Sequence, residues 1–317
     1  MKGYKAFRKG MICAPDKQHV KQYAENTVFE EDSAEVCEKG MHFCKDPLAV
    51  LEYYPLIDEN GEMSEFAEVE ALDECITDDR QTYCTKKLKV GAKLSFSALV
   101  QTSVDFEFEK STKTDTKMLS EDDDEKISSK SNWARIGSSG DSAQIGSSGD
   151  SAQIGSSGDF AQIGSSGYGA QIGSSGDFAQ IGSSCYGAQI GSSGDFAQIG
   201  SSGNSARIGS SGDSAQIGSS GDFAQIGSSG DSAQIGSSGY GARIASSGKH
   251  SVICCAGNNS IVKAKIGSWI TLSEWKFSDE ENAYIPICVK TEYVDGERIK
   301  ADTPYKLVNG KFEEVNV

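Results

Sequence analysis

The residues able to do chemistry are few and scattered. Three histidines, His19, His42 and His250, and nine cysteines are spread over 317 residues, and no Ser-His-Asp set assembles from them. Glu68-Val69-Glu70 places two carboxylates two residues apart, hence on one face if the segment is a strand, so Glu68, Glu70 and His42 are the weak catalytic candidates. Glu-x-Glu also arises by chance in so acidic a chain, as Glu107-Phe108-Glu109 shows. Cys37 and Cys44, or Cys75 and Cys84, could gather a metal with His42, but their spacing matches no paired-cysteine zinc pattern. An odd number of thiols without a secretion signal reads as reduced, structural cysteine, so neither metal nor cofactor is expected. The densest chemistry is a periodic one: aspartates at 141, 159, 177, 195, 213 and 231, accompanied by Phe160, Phe178 and Phe196.

That period defines the elements. Isoleucine recurs every nine residues from Ile136 to Ile253, with Ile127 and Val262 in register beyond, and alanine precedes it by two from Ala134 to Ala242. The unit Gly-Ser-Ser-Gly-x-x-Ala-Gln-Ile places Ala and Ile on one face of a short strand and Gln on the other, with Gly-Ser-Ser-Gly as the turn. Disorder would give no reason to hold an apolar residue in phase, so the tract is read as a parallel β-solenoid. Positions eighteen apart separate the variable residue into two classes: the aspartates above, and Asp150, Tyr168, Tyr186, Asn204, Asp222 and Tyr240. Two repeats per coil follow, giving about seven coils rising about 4.8 Å each, around a core of Ala and Ile.

Each solenoid face is expected to carry its own binding residues. One has Asp159, Asp177 and Asp195 with the outward-stacked Phe160, Phe178 and Phe196 beside Gln162, Gln180 and Gln198. The other has Tyr168, Tyr186 and Tyr240 with Arg135, Arg207 and Arg243. An exposed aromatic stripe marks a contact surface or stabilises the roll. The aspartates could bind calcium in the turns, mimic a polyanion, or form a solvated edge; the repeat departs from the calcium-binding Gly-Gly-x-Gly-x-Asp pattern.

The chain is expected to be mainly β, in four parts: residues 1–111 a small α/β domain, 112–126 an acidic linker or cap, 127–262 the solenoid and 263–317 a β cap. In the first, strands are expected at Lys5-Ala6-Phe7, Gly40 to Cys44 and Phe66 to Ala71, and Asp46-Pro47 opens a helix through Tyr54. In the last, a strand over Tyr284 to Thr291 and turns at Asp295-Gly296 and Asn309-Gly310 are expected. The stretch from Gly40 through the Tyr53-Tyr54 pair resembles the strand and following helix of ADP-ribosyltransferase folds. Glu68-Val69-Glu70 would then be similar to that fold's catalytic Glu-x-Glu, which implies NAD chemistry. The Cys37-to-Cys44 stretch, the Ala-Gln-Ile-Gly-Ser-Ser-Gly repeats and the Gly267-to-Trp275 stretch together resemble a family of phage and prophage proteins with no established activity.

A formal net charge of −16 argues against direct contact with nucleic acid or an anionic membrane, both of which need a basic surface. No signal peptide or run of about 18 apolar residues occurs, so a cytoplasmic location in a host cell is expected. Three functions compete: a non-catalytic phage-type binding protein that sequesters or blocks a host factor, a virion structural or assembly protein, and an ADP-ribosyltransferase-like enzyme. The expected partners are a basic or nucleic-acid-binding host protein and a second copy of the chain.

Overall fold

The computed structural model describes residues 1–13, 20–35, 39–58, 61–77, 82–110 and 117–315. The chain forms two compact units, the first ending at Lys110 and the second taking in everything from Ser111 onward together with Glu59–Gly61. Among the described residues no helix is long and apolar enough to cross a membrane.

The first unit is a seven-stranded antiparallel sheet in the order Thr27–Glu30, Lys87–Leu94, Glu65–Ala71, Lys2–Phe7, Met41–Cys44, Thr82–Thr85, Cys75–Ile76. Three of its strands, Lys2–Phe7, Met41–Cys44 and Glu65–Ala71, cover the stretches expected from the sequence; the other four were not anticipated. One face packs Phe7, Met41, Phe43, Val69, Leu88 and Val90 into an irregular core. The segment after Asp46-Pro47 is a single short 3-10 helix, Leu48–Glu52, rather than a helix through Tyr54; Asp46 Oδ1 accepts the Leu48 N–H as expected. The longest helix, Phe96–Lys110, follows a Lys- and Ser-rich stretch and carries no strong apolar stripe, so periodicity gives no warning of it. Phe96 anchors it on Phe66, ring centroids 6.0 Å apart.

The second unit is the solenoid. Gln144 pairs with Gln162, Ile145 with Ile163, and so on along the stack, so each coil holds two repeats. There are nine parallel strands in each of two sheets. Sheet I runs from Lys117–Ser120 to Ile261–Lys263, and sheet II from Lys126–Ser129 to the start of Trp269–Ser278. The roll is therefore longer than the seven coils read from isoleucine: Met118 occupies the isoleucine position of the first coil and Ile270 that of the last. Part of the expected acidic linker is this first coil; residues 111–116 lie outside the described residues. At about 4.8 Å per coil the stack is about 43 Å long.

Three side chains per repeat point inward, not two. Ala143 and Ile145 are buried and Gln144 exposed, but Ser147, two residues further along the strand, is buried as well. Gly146 and Ser147 are thus strand residues, which corrects the Gly-Ser-Ser-Gly turn: the chain reverses over Ser-Gly-x-x, the second variable residue adopting a left-handed conformation (Phe178 φ 56°, Ser151 φ 53°, Gly187 φ 67°). The turn glycine is needed for a different reason. A Cβ on Gly194 would lie 1.9 Å from the carbonyl oxygen of Gly176 in the coil below. Beyond the coils, Ala283–Tyr293 pairs antiparallel with Trp269–Ser278, and Tyr305 pairs with Val262. Leu272, Val294, Ile299 and Leu307 cover the end of the core.

Candidate functional site

In the first unit the catalytic candidates are not brought together. Glu68 lies opposite Tyr4 and Glu70 opposite Lys2, while His42 sits on the far neighbour of that same central strand. Two strand spacings, about 10 Å, therefore separate the strand that carries the carboxylates from the one that carries the imidazole. His42 is half-buried, and desolvation, helped by the Lys5 ammonium, lowers its pKa. Lys5 itself is buried; its Nζ donates to the His42 carbonyl at 2.6 Å and stands over the Phe7 and Tyr23 rings. Lys5 is thus held by ring packing and one backbone acceptor. Among the described residues no three His, Cys, Asp or Glu side chains cluster as a metal site, and the eight described cysteines are free thiols. Cys37 and His19 lie outside the described residues.

The solenoid places its variable residues in the turns, along two edges between the sheets, instead of on the sheet faces where alternation had set them. Edge one, from sheet I into sheet II, carries Asp159, Asp177 and Asp195 within a longer column. Each carboxylate holds the next coil: the Asp177 N–H donates to Asp159 Oδ1 at 2.8 Å, Asp195 to Asp177 at 2.8 Å and Asp213 to Asp195 at 2.8 Å. The column begins at Asp123 and ends where the Lys249 N–H meets Asp231. The aspartates are exposed and each has a second oxygen free of this ladder. The signal for this role was in the other class: where edge two is not aromatic it is Asp or Asn, the two side chains that share an Oδ1 acceptor.

Phe160, Phe178 and Phe196 stand beside the aspartates, about half exposed, their rings 5.1 Å apart and within 6° of parallel. Each occupies a left-handed backbone position that costs a bulky residue about 1–2 kcal/mol, which the stacking offsets in part. Stacked this way they present ring edges, and only the outermost ring faces are open.

Edge two is discontinuous. Tyr168 and Tyr186 stack at 5.4 Å, but Tyr240 is apart from them, edge-on to Phe223, an exposed aromatic the two-class reading did not single out. Asp150 and Asp222 accept from Tyr168 and Tyr240. Arg135, Arg207 and Arg243 begin strands of sheet I just past this edge and are half-buried. They lie coils apart, with Gln153, Gln189 and Gln225 in pairing positions between them and Lys117 and Ile261 on the outer sides of Arg135 and Arg243, so they form no continuous cationic surface with the tyrosines.

No curated protein and no solved structure matches the chain. Residues 1–102 match the model of a family described as a domain of unknown function (DUF7666); the match falls within the sheet unit, and the solenoid lies beyond it.

Proposed function

We propose that the chain is a non-catalytic, phage-type binding protein that acts by covering a basic surface of a host factor with edge one of its solenoid. The observation that carries this reading is the exposed aspartate column, one carboxylate per coil at a rise of about 4.8 Å, with a stack of three half-exposed phenylalanines at its centre. The Oδ1 atoms are committed to the ladder, which fixes the carboxylates in a row; the second oxygens are left to a partner. A net charge of −16 favours encounter with a basic protein and disfavours nucleic acid. Neighbouring carboxylates repel, by roughly 1 kcal/mol or less per solvated pair, and a cationic partner relieves that repulsion.

The test is a capture experiment from host lysate with mass spectrometry of what is retained. Asp159→Asn, Asp177→Asn and Asp195→Asn together keep the ladder, because Asn204 and Asn132 already accept the same bond, but remove three charges. The triple variant is expected to lose the partner, and wild-type binding to weaken as salt rises. Glu68→Gln with Glu70→Gln is expected to leave binding whole. The opposite pattern overturns this reading in favour of transferase chemistry in the first unit.

A further inference from the structure

We propose that the outer face of sheet II is the contact surface of a homodimer, in which two parallel copies each lay their glutamine column into the other's glycine furrow. This goes beyond the partner-binding reading, which uses edge one.

The face consists of three columns: exposed glutamines from Gln144 to Gln234, glycines, and exposed serines from Ser148 to Ser238. The glycines, Gly146, Gly164, Gly182, Gly200, Gly218 and Gly236, are not required by the fold. None has a positive φ, and a Cβ on any of them would meet nothing within 4 Å. The ends of the same column bear side chains, Ser128 and Cys254, in unbroken register. Glycine inside a strand weakens it and marks a place where another group approaches the backbone closely. Six in a row where side chains fit leave a smooth furrow beside a ridge of amides.

Period selects the occupant. An extended peptide laid along the furrow repeats its side chains every ~6.7 Å and a polyproline helix every ~9 Å, so neither keeps step with coils about 4.8 Å apart. A second copy of this solenoid does. Glutamine and glycine columns lie two residues, about 6.6 Å, apart. A twofold axis parallel to the stack and midway between them sets each ridge over the other furrow, the isologous arrangement of a closed dimer. Interdigitated glutamine ladders pack in this way in steric zippers. The face is about 16 Å wide and, over its six coils, about 29 Å long, roughly 460 Å² in plan, more than half of the about 800 Å² per partner of a specific interface.

Light scattering of the full chain over a concentration series tests this. Wild type is expected to be a dimer, and Gly182→Lys with Gly200→Lys to raise the dimer dissociation constant at least a hundredfold. Circular dichroism of that variant should match wild type, because both positions are open. Gly182→Ala with Gly200→Ala is the milder pair should lysine disturb the fold, with at least a tenfold increase expected. A monomeric wild type at several hundred micromolar overturns the proposal. So does a dimer indifferent to both furrow pairs, or one lost only with Phe160→Ser, Phe178→Ser and Phe196→Ser, which would place the contact on edge one.

Discussion

The two edges of the solenoid meet one backbone requirement in different ways. In every turn an N–H faces the coil below and needs an acceptor. Edge one supplies a carboxylate at each coil from Asp123 to Asp231. Edge two supplies a side-chain acceptor at only some coils, from Asn132, Asp150, Asn204 and Asp222, and elsewhere substitutes tyrosine. A charge column can therefore be structural and functional at once: the ladder accounts for an Oδ1 at each position, whereas Asn would serve as well, and the uninterrupted choice of Asp on edge one is what the ladder leaves unexplained.

Both edges depend on a common interior, and the largest expected effect breaks them together. Ile190 is fully buried at mid-stack, so Ile190→Asp would bury a charge without a partner and is expected to abolish folding, a loss above about 4 kcal/mol read from a denaturant melt; an unchanged melt would show the inward assignment to be wrong. Next is Gly194→Val on edge one, where the new Cβ meets a carbonyl oxygen at 1.9 Å, with an expected cost of about 2–3 kcal/mol. Edge two has already made such a change at Cys185, whose Sγ reaches Ser165, so Cys185→Gly is expected to be neutral or stabilising.

The ladder itself sharpens the contrast at smaller cost. Asp177→Ala and Asp222→Ala each remove one acceptor, from the Asp195 and Tyr240 N–H groups respectively, and each should cost about 1 kcal/mol in the same melt. Asp177→Asn should stay within about 0.5 kcal/mol of wild type; a loss as large as that of the alanine would mean that charge, and not the acceptor, stabilises the edge. Phe178→Ser is also expected to have a small effect. Ser142 and Ser214 already hold the same backbone conformation on this edge, so the loss of stacking should be partly offset and stay below about 1 kcal/mol.

What could be read from the sequence differed by region for a physical reason. In the coils every residue's neighbour is its own counterpart eighteen positions away, as Asp159 is to Asp177, so a period in the chain is a contact in space. Coil size, the inward Ala and Ile and the outward Gln followed from that alone. The ends were missed because Met118 keeps the spacing without being isoleucine, whereas Ile270 is isoleucine but follows Ile253 by 17 residues, one short of the period. The furrow went unread because six glycines look alike whether a turn or a face requires them, and only the space around each Cβ separates the cases. In the sheet unit, contacts such as Lys2 with Glu70 join residues far apart in the chain, and no local spacing encodes them; hence three of its strands were legible, but not the other four, their order or the separation of His42 from Glu68.

The pairing of every position with the one eighteen residues on also constrains how such a gene can change length. Near-identical repeats invite recombination or slippage, and a deletion of two units, residues 155–172 for example, removes one whole coil and gives each remaining strand a neighbour of the same kind. Deletion of a single unit keeps the reading frame but exchanges the two sheets for everything downstream: the phenylalanines would pass to the tyrosine edge, and the open glycines would meet the buried ones of sheet I. Heritable length variants of this protein are therefore expected to differ by pairs of repeats, and natural alleles differing by an odd number of units would have to carry two registers of edge chemistry in one stack.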